Sequence, residues 1–179
     1  QKKFLKENLN LKIRVIGISN SRRMIFDNSG INLKNWKELL ENGESTSLES
    51  FHQKVKESNL INSVFVDNTA NQSVSEVYEK YLRESISVVT CNKIACADTL
   101  ENYTNLKKSS RKYGSPFLFE TNVGAGLPVI DTLNNLIASG DQVLKIQAVL
   151  SGSLNFVLNN FKEGTDFRDV VIEAQTEGY

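Results

Sequence analysis

The sequence has few of the residues that build disulfide or metal sites. It contains two cysteines, Cys91 and Cys96, and a single histidine, His52, among 179 residues. Cysteines five positions apart match neither a disulfide framework nor a zinc site, and one histidine excludes a histidine-rich metal centre. Reduced thiols are the simplest interpretation, and they favour an intracellular protein in the cytoplasm.

The sequence also lacks an excess of charge and long apolar runs. Its 21 lysines and arginines balance 21 aspartates and glutamates, and it has no basic stripe of the kind that binds nucleic acid. No apolar run approaches the ~20 residues needed to span a bilayer. We therefore expect neither nucleic acid nor a membrane among the partners.

Only two prolines and ten glycines interrupt the chain, so most of it is available for regular structure. Apolar, β-branched segments that alternate with helical patterns predict a parallel sheet covered by helices on both faces. After residue 122 the pattern changes to helix, one alternating strand and two helices. Strands are predicted at 12–19, 63–67, 85–90, 116–121 and 142–150, and helices at about 73–83, 98–113, 127–138, 154–161 and 167–177.

This pattern predicts two domains. We interpret residues 1–122 as most of a doubly wound α/β nucleotide-binding domain, and residues 123–179 as the start of a second domain. Ligands of such sheets bind outside the carboxyl ends of the strands. Polar residues follow each of the first four strands, at 19–22, 67–70, 90–93 and 120–122. Helix capping explains any one cluster, but four at one edge favour a ligand cleft.

Two basic residues stand out in these clusters. Lys93 precedes a helix, where the helix dipole disfavours a cation, so it is better explained by an anion or a polarised carbonyl than as a solvated surface lysine. Arg22 follows the first strand, where dinucleotide folds carry an acid for the ribose or an arginine for a 2′-phosphate. No acid occupies that loop, which mildly favours a phosphorylated dinucleotide.

The turn at 121–128 carries Gly124 and Gly126 without the third glycine of the dinucleotide fingerprint. Its glycines permit a tight backbone that can direct several carbonyls to one point. With the nearby carboxylate of Glu120, such oxygens suit a hard cation. From composition alone, a tight turn between two domains is the simpler interpretation.

Long motifs make the chain resemble the homoserine dehydrogenase family. They are FLFETNVGAGLPVIDTLNNLIASGD at 117–141, VLKIQAVLSGSLNFVLNNF at 143–161, VDNTANQ at 66–72, VVTCNK at 88–93 and the terminal EGY. VIGISNS at 15–21 and GINLKNW at 30–36 are similar to the dehydrogenase half of bifunctional aspartokinase–homoserine dehydrogenases. The resemblance implies an incomplete Rossmann-type parallel sheet followed by the start of an α+β catalytic and dimerisation domain.

The resemblance also implies site residues. The catalytic residue would be Lys93, which would face both NADP (or NAD) and the substrate. The residues expected to bind the cofactor are Asn20, Arg22, Asn68, Thr69 and Lys93. Gly152 and Ser153 are expected to bind the substrate. A monovalent cation, Na⁺ or K⁺, is expected to be held by Glu120 and the carbonyls of Val123, Ala125 and Leu127. For Ser153, a simple helix N-cap is a compatible alternative.

The implied activity is the NAD(P)-dependent interconversion of L-homoserine and L-aspartate 4-semialdehyde, in threonine and methionine biosynthesis. A homo-oligomer formed through the second domain and a fused aspartokinase domain are further expectations. The family's glycine fingerprint would precede Gln1, and its proton-transfer residues would follow Tyr179. The chain alone is therefore expected to be inactive.

Two other interpretations stay open. One is a non-catalytic nucleotide-binding or regulatory module on the same fold. The other is aspartate-semialdehyde dehydrogenase, which uses a thiol nucleophile, with Cys91 and Cys96 as its candidates only by default. Cys91 stands where the homoserine dehydrogenase motif usually has proline before Asn92 and Lys93.

Overall fold

A computed structural model describes residues 1–179. The chain divides into two compact units. The first comprises Gln1–Val89 and Ile94–Leu118, and the second comprises Thr90–Lys93 and Phe119–Tyr179. The domain boundary predicted between residues 122 and 123 stays a prediction.

The first unit contains two three-stranded sheets. In one, β1 (Gly17–Ser19), β2 (Arg23–Phe26) and β3 (Glu44–Ser45) pair antiparallel in that order. In the other, the order is β4 (Val64–Asp67), β5 (Ser87–Thr90) and β6 (Phe117–Leu118). β5 and β6 are parallel, with Val88 opposite Phe117 and Val89 opposite Leu118.

Helices α1 to α7 accompany these strands. Their ends follow local chemistry. The Ser47 hydroxyl accepts the Ser50 N–H at the start of α3 (Leu48–Ser58), and the Thr99 hydroxyl accepts the Asn102 N–H at the start of α7 (Leu100–Tyr113). α7 ends at Gly114, whose φ of 62° suits a residue without a Cβ. The helices are α1 (Lys2–Leu9), α2 (Trp36–Glu41), α3 (Leu48–Ser58), α4 (Gln72–Ser75), α5 (Tyr78–Arg83), α6 (Ile94–Ala97) and α7 (Leu100–Tyr113).

The core of the first unit is built around α5. Tyr78, Tyr81 and Leu82 are at most 1% exposed. The Tyr81 ring stacks on Phe65 of β4 at 4.2 Å between centroids, and burial raises the pKa of its phenol. Tyr78 packs against Phe117 of β6. Aromatic rings from α5 therefore hold the helix against the strands that carry the predicted site.

Apart from Thr90 at the end of β5, the second unit contains helices and no strand. A single 3₁₀ turn, Glu120–Asn122, leads through the glycine turn to α8 (Val129–Ala138), which is followed by α9 (Gly152–Asn160) and α10 (Phe167–Thr176). α9 and α10 pack together, with Val170 and Ala174 buried. The three helices predicted after residue 126 are confirmed, with small changes at their ends.

The structure corrects the first predicted strand. Only residues 17–19 of the predicted 12–19 form a strand, and it is part of an antiparallel hairpin instead of a parallel crossover. The cause is the Asn20 side chain, whose Oδ1 accepts the backbone N–H groups of Arg22 and Arg23, both at 2.8 Å. This Asx turn reverses the chain directly after Ser19.

The strand predicted at 142–150 is also wrong. These residues have no regular structure, and the side chains of Leu144 and Ile146 are 93% and 66% exposed. Because a strand needs a neighbour to satisfy its backbone hydrogen bonds, and the second unit contains no strand apart from Thr90, the alternating pattern finds no partner there.

One predicted helix is divided, since the residues predicted as a helix at 73–83 form α4 and α5. The helix predicted at 98–113 is confirmed as α7, and the single turn α6 precedes it. The strands predicted at 63–67, 85–90 and 116–121 are confirmed in shorter form. No helix is both long and apolar enough for a membrane span.

We expect Tyr78→Phe to lower the thermal midpoint of the full-length protein by several degrees. The Tyr78 hydroxyl donates at 2.5 Å to Oδ2 of Asp67, which is 1% exposed, and bonds to charged acceptors are worth about 1.5–3 kcal/mol. Tyr113→Phe is the control, because that hydroxyl makes no hydrogen bond. Equal midpoints for the two variants would contradict this role of Asp67.

Candidate functional site

The loop after β4 is organised by its own polar side chains. Oδ1 of the buried Asp67 accepts the N–H of Thr69 at 2.7 Å. The Thr69 hydroxyl then accepts the N–H of Asn71 at 3.2 Å, and Asn71 caps α4. Asn68 and Thr69 are exposed at the carboxyl end of the strand. The predicted cofactor residues of this loop therefore lie on a fixed backbone and are accessible to a ligand.

The loops after β5 and β6 are hydrogen-bonded to each other within the second unit. Nδ2 of Asn122 donates to the backbone oxygen of Asn92 at 3.3 Å. The N–H of Asn92 donates to the hydroxyl of the buried Thr90 at 2.9 Å. Asn92 is itself only 1% exposed, so the backbone that precedes Lys93 is buried and hydrogen-bonded.

Lys93 is exposed at the start of α6 and takes part in none of the five ion pairs of the structure. A lysine in front of a helix has no favourable interaction with the helix dipole. Its ammonium group is therefore not engaged by a carboxylate of the chain, and its predicted role stays a prediction.

Glu120 caps a helix that begins nine residues later. Its two carboxylate oxygens accept the N–H groups of Ile130 and Asp131, at 2.9 and 2.8 Å. Pro128, the residue before α8, has no side chain that could do so. A carboxylate at a helix N-terminus interacts favourably with the helix dipole. The structure therefore gives Glu120 a role that sequence reasoning did not foresee.

The glycine turn connects Glu120 to α8. Gly124 and Ala125 have φ values of 74° and 51°, so two successive residues are left-handed, and an alanine is strained there. The carbonyl of Leu127 accepts the N–H of Val129 at 2.9 Å. An ionised carboxylate has about four acceptor positions, so both Glu120 oxygens keep capacity for a further ligand.

The donor chemistry of this turn fits a hard cation, since one carboxylate and the carbonyls of Val123, Ala125 and Leu127 are all oxygen ligands. It does not fit a transition metal, because no group of three or more His, Cys, Asp or Glu side chains could hold one. The donors of the turn and Lys93 belong to the same unit.

The first predicted cluster lies in the β1–β2 hairpin. Asn20 forms the turn with its side-chain oxygen, and the Arg22 side chain is exposed and in no ion pair. The backbone of Arg22 is held by Thr46, whose N–H donates to its carbonyl at 3.0 Å. The arginine is therefore free to meet an anion, although its loop is not the strand-to-helix connection that the sequence predicted.

The N-cap of α9 is Ser151 instead of Ser153. The Ser151 hydroxyl accepts the N–H of Leu154 at 3.1 Å, whereas Ser153 lies exposed in the first turn with Gly152. The Tyr179 ring passes beside this turn, 3.9 Å from where a Cβ on Gly152 would lie. The terminal EGY motif includes Tyr179, but sequence reasoning assigned this residue no role, since no pattern connects it to a helix start 27 positions earlier.

One cavity lies outside all of these positions. It has a volume of about 260 Å³ in the first unit and is lined by residues of α4, α6 and α7 and their flanks. None of the predicted site residues lines it. Its lining residues are Gln72, Ser75, Glu76, Ile94, Ala97, Asp98 and Asn102.

We expect Glu120→Gln to speed hydrogen exchange of the Ile130 and Asp131 amides in the full-length protein. Glutamine has a single side-chain acceptor oxygen, so one N–H loses its partner, at a local cost of about 0.5–2 kcal/mol for a lost cap. Glu163→Gln, at an exposed position without ion pairs, is the control. Unchanged exchange at both amides would contradict the cap.

Comparison with known proteins adds sequence relatives to this geometry. Residues 2–120 match the sequence model described as homoserine dehydrogenase, NAD binding domain, and residues 128–179 match the one described as homoserine dehydrogenase. The chain is 41% identical, over its whole length, to bifunctional aspartokinase/homoserine dehydrogenase 1, chloroplastic, of Arabidopsis thaliana, and covers 20% of that protein.

A second relative and a solved structure agree. Over 86% of its length the chain is 38% identical to homoserine dehydrogenase of Schizosaccharomyces pombe, and covers 42% of it. The solved structure is a hyperthermophilic archaeal homoserine dehydrogenase in complex with NADPH. The match covers 99% of the present chain and 56% of the archaeal chain, with 28% identity and a TM-score of 0.76. The chain thus spans from a fifth to about half of these relatives.

Proposed function

The chain belongs to the homoserine dehydrogenase family, and on that premise we propose that the protein containing it interconverts L-homoserine and L-aspartate 4-semialdehyde with NAD(P). The observation that carries the proposal is the buried, hydrogen-bonded loop before Lys93, which presents an ammonium group without an ion-pair partner at the carboxyl end of β5. This is where α/β sheets bind their ligands.

The chain offers groups of the right chemistry for a phosphorylated dinucleotide. Asn68 and Thr69 are exposed after β4, and Asn20 and Arg22 are exposed in the β1–β2 turn. The unpaired guanidinium of Arg22 suits a 2′-phosphate, which supports NADP over NAD. When bound, the nicotinamide would supply the hydride chemistry of the reaction.

Lys93 is the proposed catalytic residue. In the direction of reduction, the oxygen of the aldehyde gains negative charge as the carbon–oxygen double bond opens. The Lys93 ammonium group, placed beside that oxygen, would stabilise the charge that develops in the transition state. This lowers the barrier, whereas binding the ground state equally well would not. The hydrogen bonds that fix the backbone of Asn92 limit the reorganisation that this requires.

The start of α9 is the proposed site for the substrate carboxylate. Gly152 and Ser153 lie in the first turn of a nine-residue helix, and the exposed N–H groups and dipole of such a turn attract an anion. Gly152 leaves room there, since outside its chain neighbours and its own helix only the Tyr179 ring lies within 4 Å of the position of a Cβ.

A monovalent cation, Na⁺ or K⁺, is proposed at the glycine turn, held by Glu120 and the carbonyls of Val123, Ala125 and Leu127. Glu120 would then both cap α8 and bind the ion. Because these residues connect the 3₁₀ turn to α8, the ion would order the turn and take no part in proton or hydride transfer.

The remaining proposals concern the whole protein. Its relatives support a fused aspartokinase domain and a role in threonine and methionine biosynthesis. Oligomerisation through the second domain is proposed from the family resemblance. A cytoplasmic location is proposed because both cysteines are thiols, which suits a reducing compartment.

The full-length protein should oxidise L-homoserine with NADP⁺, followed by absorbance of the reduced cofactor. Lys93→Ala should lower kcat by about 10²-fold or more, as for loss of a positioned charge or proton donor. Lys108→Ala, at an exposed position on α7, is the control. Near-normal turnover of Lys93→Ala would refute its role, and an inactive wild type that binds NADPH would support a non-catalytic module.

Turnover of the full-length enzyme should also rise when K⁺ or Na⁺ replaces a bulky organic cation at constant ionic strength. Glu120→Gln should weaken this response by removing the negative charge from the donor set. The Glu163→Gln variant should respond like the wild type. Activity indifferent to both ions, with no ion density at the turn, would contradict the cation site.

A further inference from the structure

The side-chain amide of Asn122 connects the loop after β6 to the loop that carries Lys93. Its Nδ2 donates to the backbone oxygen of Asn92, the residue immediately before Lys93. This contact fixes the orientation of the amide, because a flipped amide would place its oxygen against the Asn92 oxygen. Asn122 therefore holds the backbone from which Lys93 extends.

The other end of the same amide has no partner. Asn122 Oδ1 is buried from solvent and accepts no hydrogen bond. Buried acceptors without a donor are rare because desolvation is left uncompensated. The hydrogen bond to Asn92 explains the donor end of the amide, but no group of the loop uses its acceptor end. The unsatisfied oxygen points to a donor that arrives with a ligand.

We propose that Asn122 is a positioning residue for Lys93, and that its buried oxygen accepts an N–H donor of the bound cofactor or substrate. This inference rests on the proposed function, which brings two such donors to the site. They are the carboxamide of nicotinamide and the ammonium group of the amino-acid substrate. Asn122 thus couples the arrival of a ligand to the placement of the lysine.

Two nearly isosteric variants of the full-length enzyme separate the two ends of the amide. Asn122→Asp keeps an acceptor oxygen and loses the donor to Asn92, whereas Asn122→Leu loses both. In both variants the Asn92 carbonyl loses this donor and keeps the long 3.4 Å contact from the Thr90 hydroxyl, so both should lower kcat by about tenfold, as expected for one hydrogen bond in the transition state. Only Asn122→Leu should also raise a KM, for the ligand that supplies the N–H donor.

The affected ligand identifies the source of the donor. If the cofactor supplies the donor, KM for NADP⁺ rises in Asn122→Leu. The 3-acetylpyridine analogue of NADP⁺ lacks the carboxamide N–H, so its KM should then be the same for Asn122→Leu and the wild type. If the substrate supplies the donor, KM for homoserine rises in Asn122→Leu, and it rises equally when the analogue replaces NADP⁺. Asn135→Asp and Asn135→Leu, on an exposed face of α8, are matched controls.

An Asn122→Leu enzyme that has the wild-type thermal midpoint, kcat and both KM values would overturn the proposal. If Asn122→Leu fails to fold, the kcat of Asn122→Asp tests the positioning role, and an unchanged kcat in that variant would overturn it. If the wild type does not oxidise homoserine, the proposed function fails separately. Hydrogen exchange at the Lys93 amide, faster in Asn122→Asp if Asn122 holds this loop, then tests the contact without the reaction.

Discussion

The parallel pairing of β5 with β6 is the constraint on which the candidate site depends. Val88 and Phe117, opposite each other across the pair, are 0% and 4% exposed, and the N–H of Val88 donates to the Pro116 carbonyl at 2.9 Å. Parallel strands end at the same edge of a sheet, so the segments that follow them start close together. The contact between Asn122 and Asn92 is the direct result.

Polar side chains near the strand ends stabilise their own loops and helix ends, whether or not a ligand is bound. Asp67 and Thr90 fix the backbones of their loops, and Glu120 caps α8. These uses do not compete with binding, because carboxylates and hydroxyls have more acceptor positions than one bond fills. Capping and ligand binding, which the sequence left as alternatives for each cluster, are therefore compatible.

The sequence predicted the elements whose signals are local. Apolar runs located β4 to β6, and helical spacing located α8 to α10, because short-range patterns determine these elements. It did not predict the β1–β2 hairpin, since the Asn20 side chain that forms the Asx turn is of the type that also caps helices. The alternating pattern at 142–150 was misleading because a strand depends on a partner outside its own sequence.

The types of residue at the candidate site could be predicted from the sequence, but most of the contacts that these residues make could not. Lys93 stood out through its position between strand and helix, and the glycine turn through its composition. The caps made by Glu120 and Ser151 and the place of the Tyr179 ring depend on how distant segments approach one another. Asn122 gave no signal in the sequence beyond membership of a polar cluster, and only its buried, unsatisfied oxygen distinguishes it.

A structure of the full-length protein with NADPH and homoserine would test directly whether Lys93 serves a nicotinamide-dependent reaction at the carboxyl end of β5. We expect the nicotinamide beside the loop after this strand, with the Lys93 Nζ within about 3 Å of the substrate's C4 oxygen. A nicotinamide bound elsewhere, with Lys93 still directed to solvent, would contradict it.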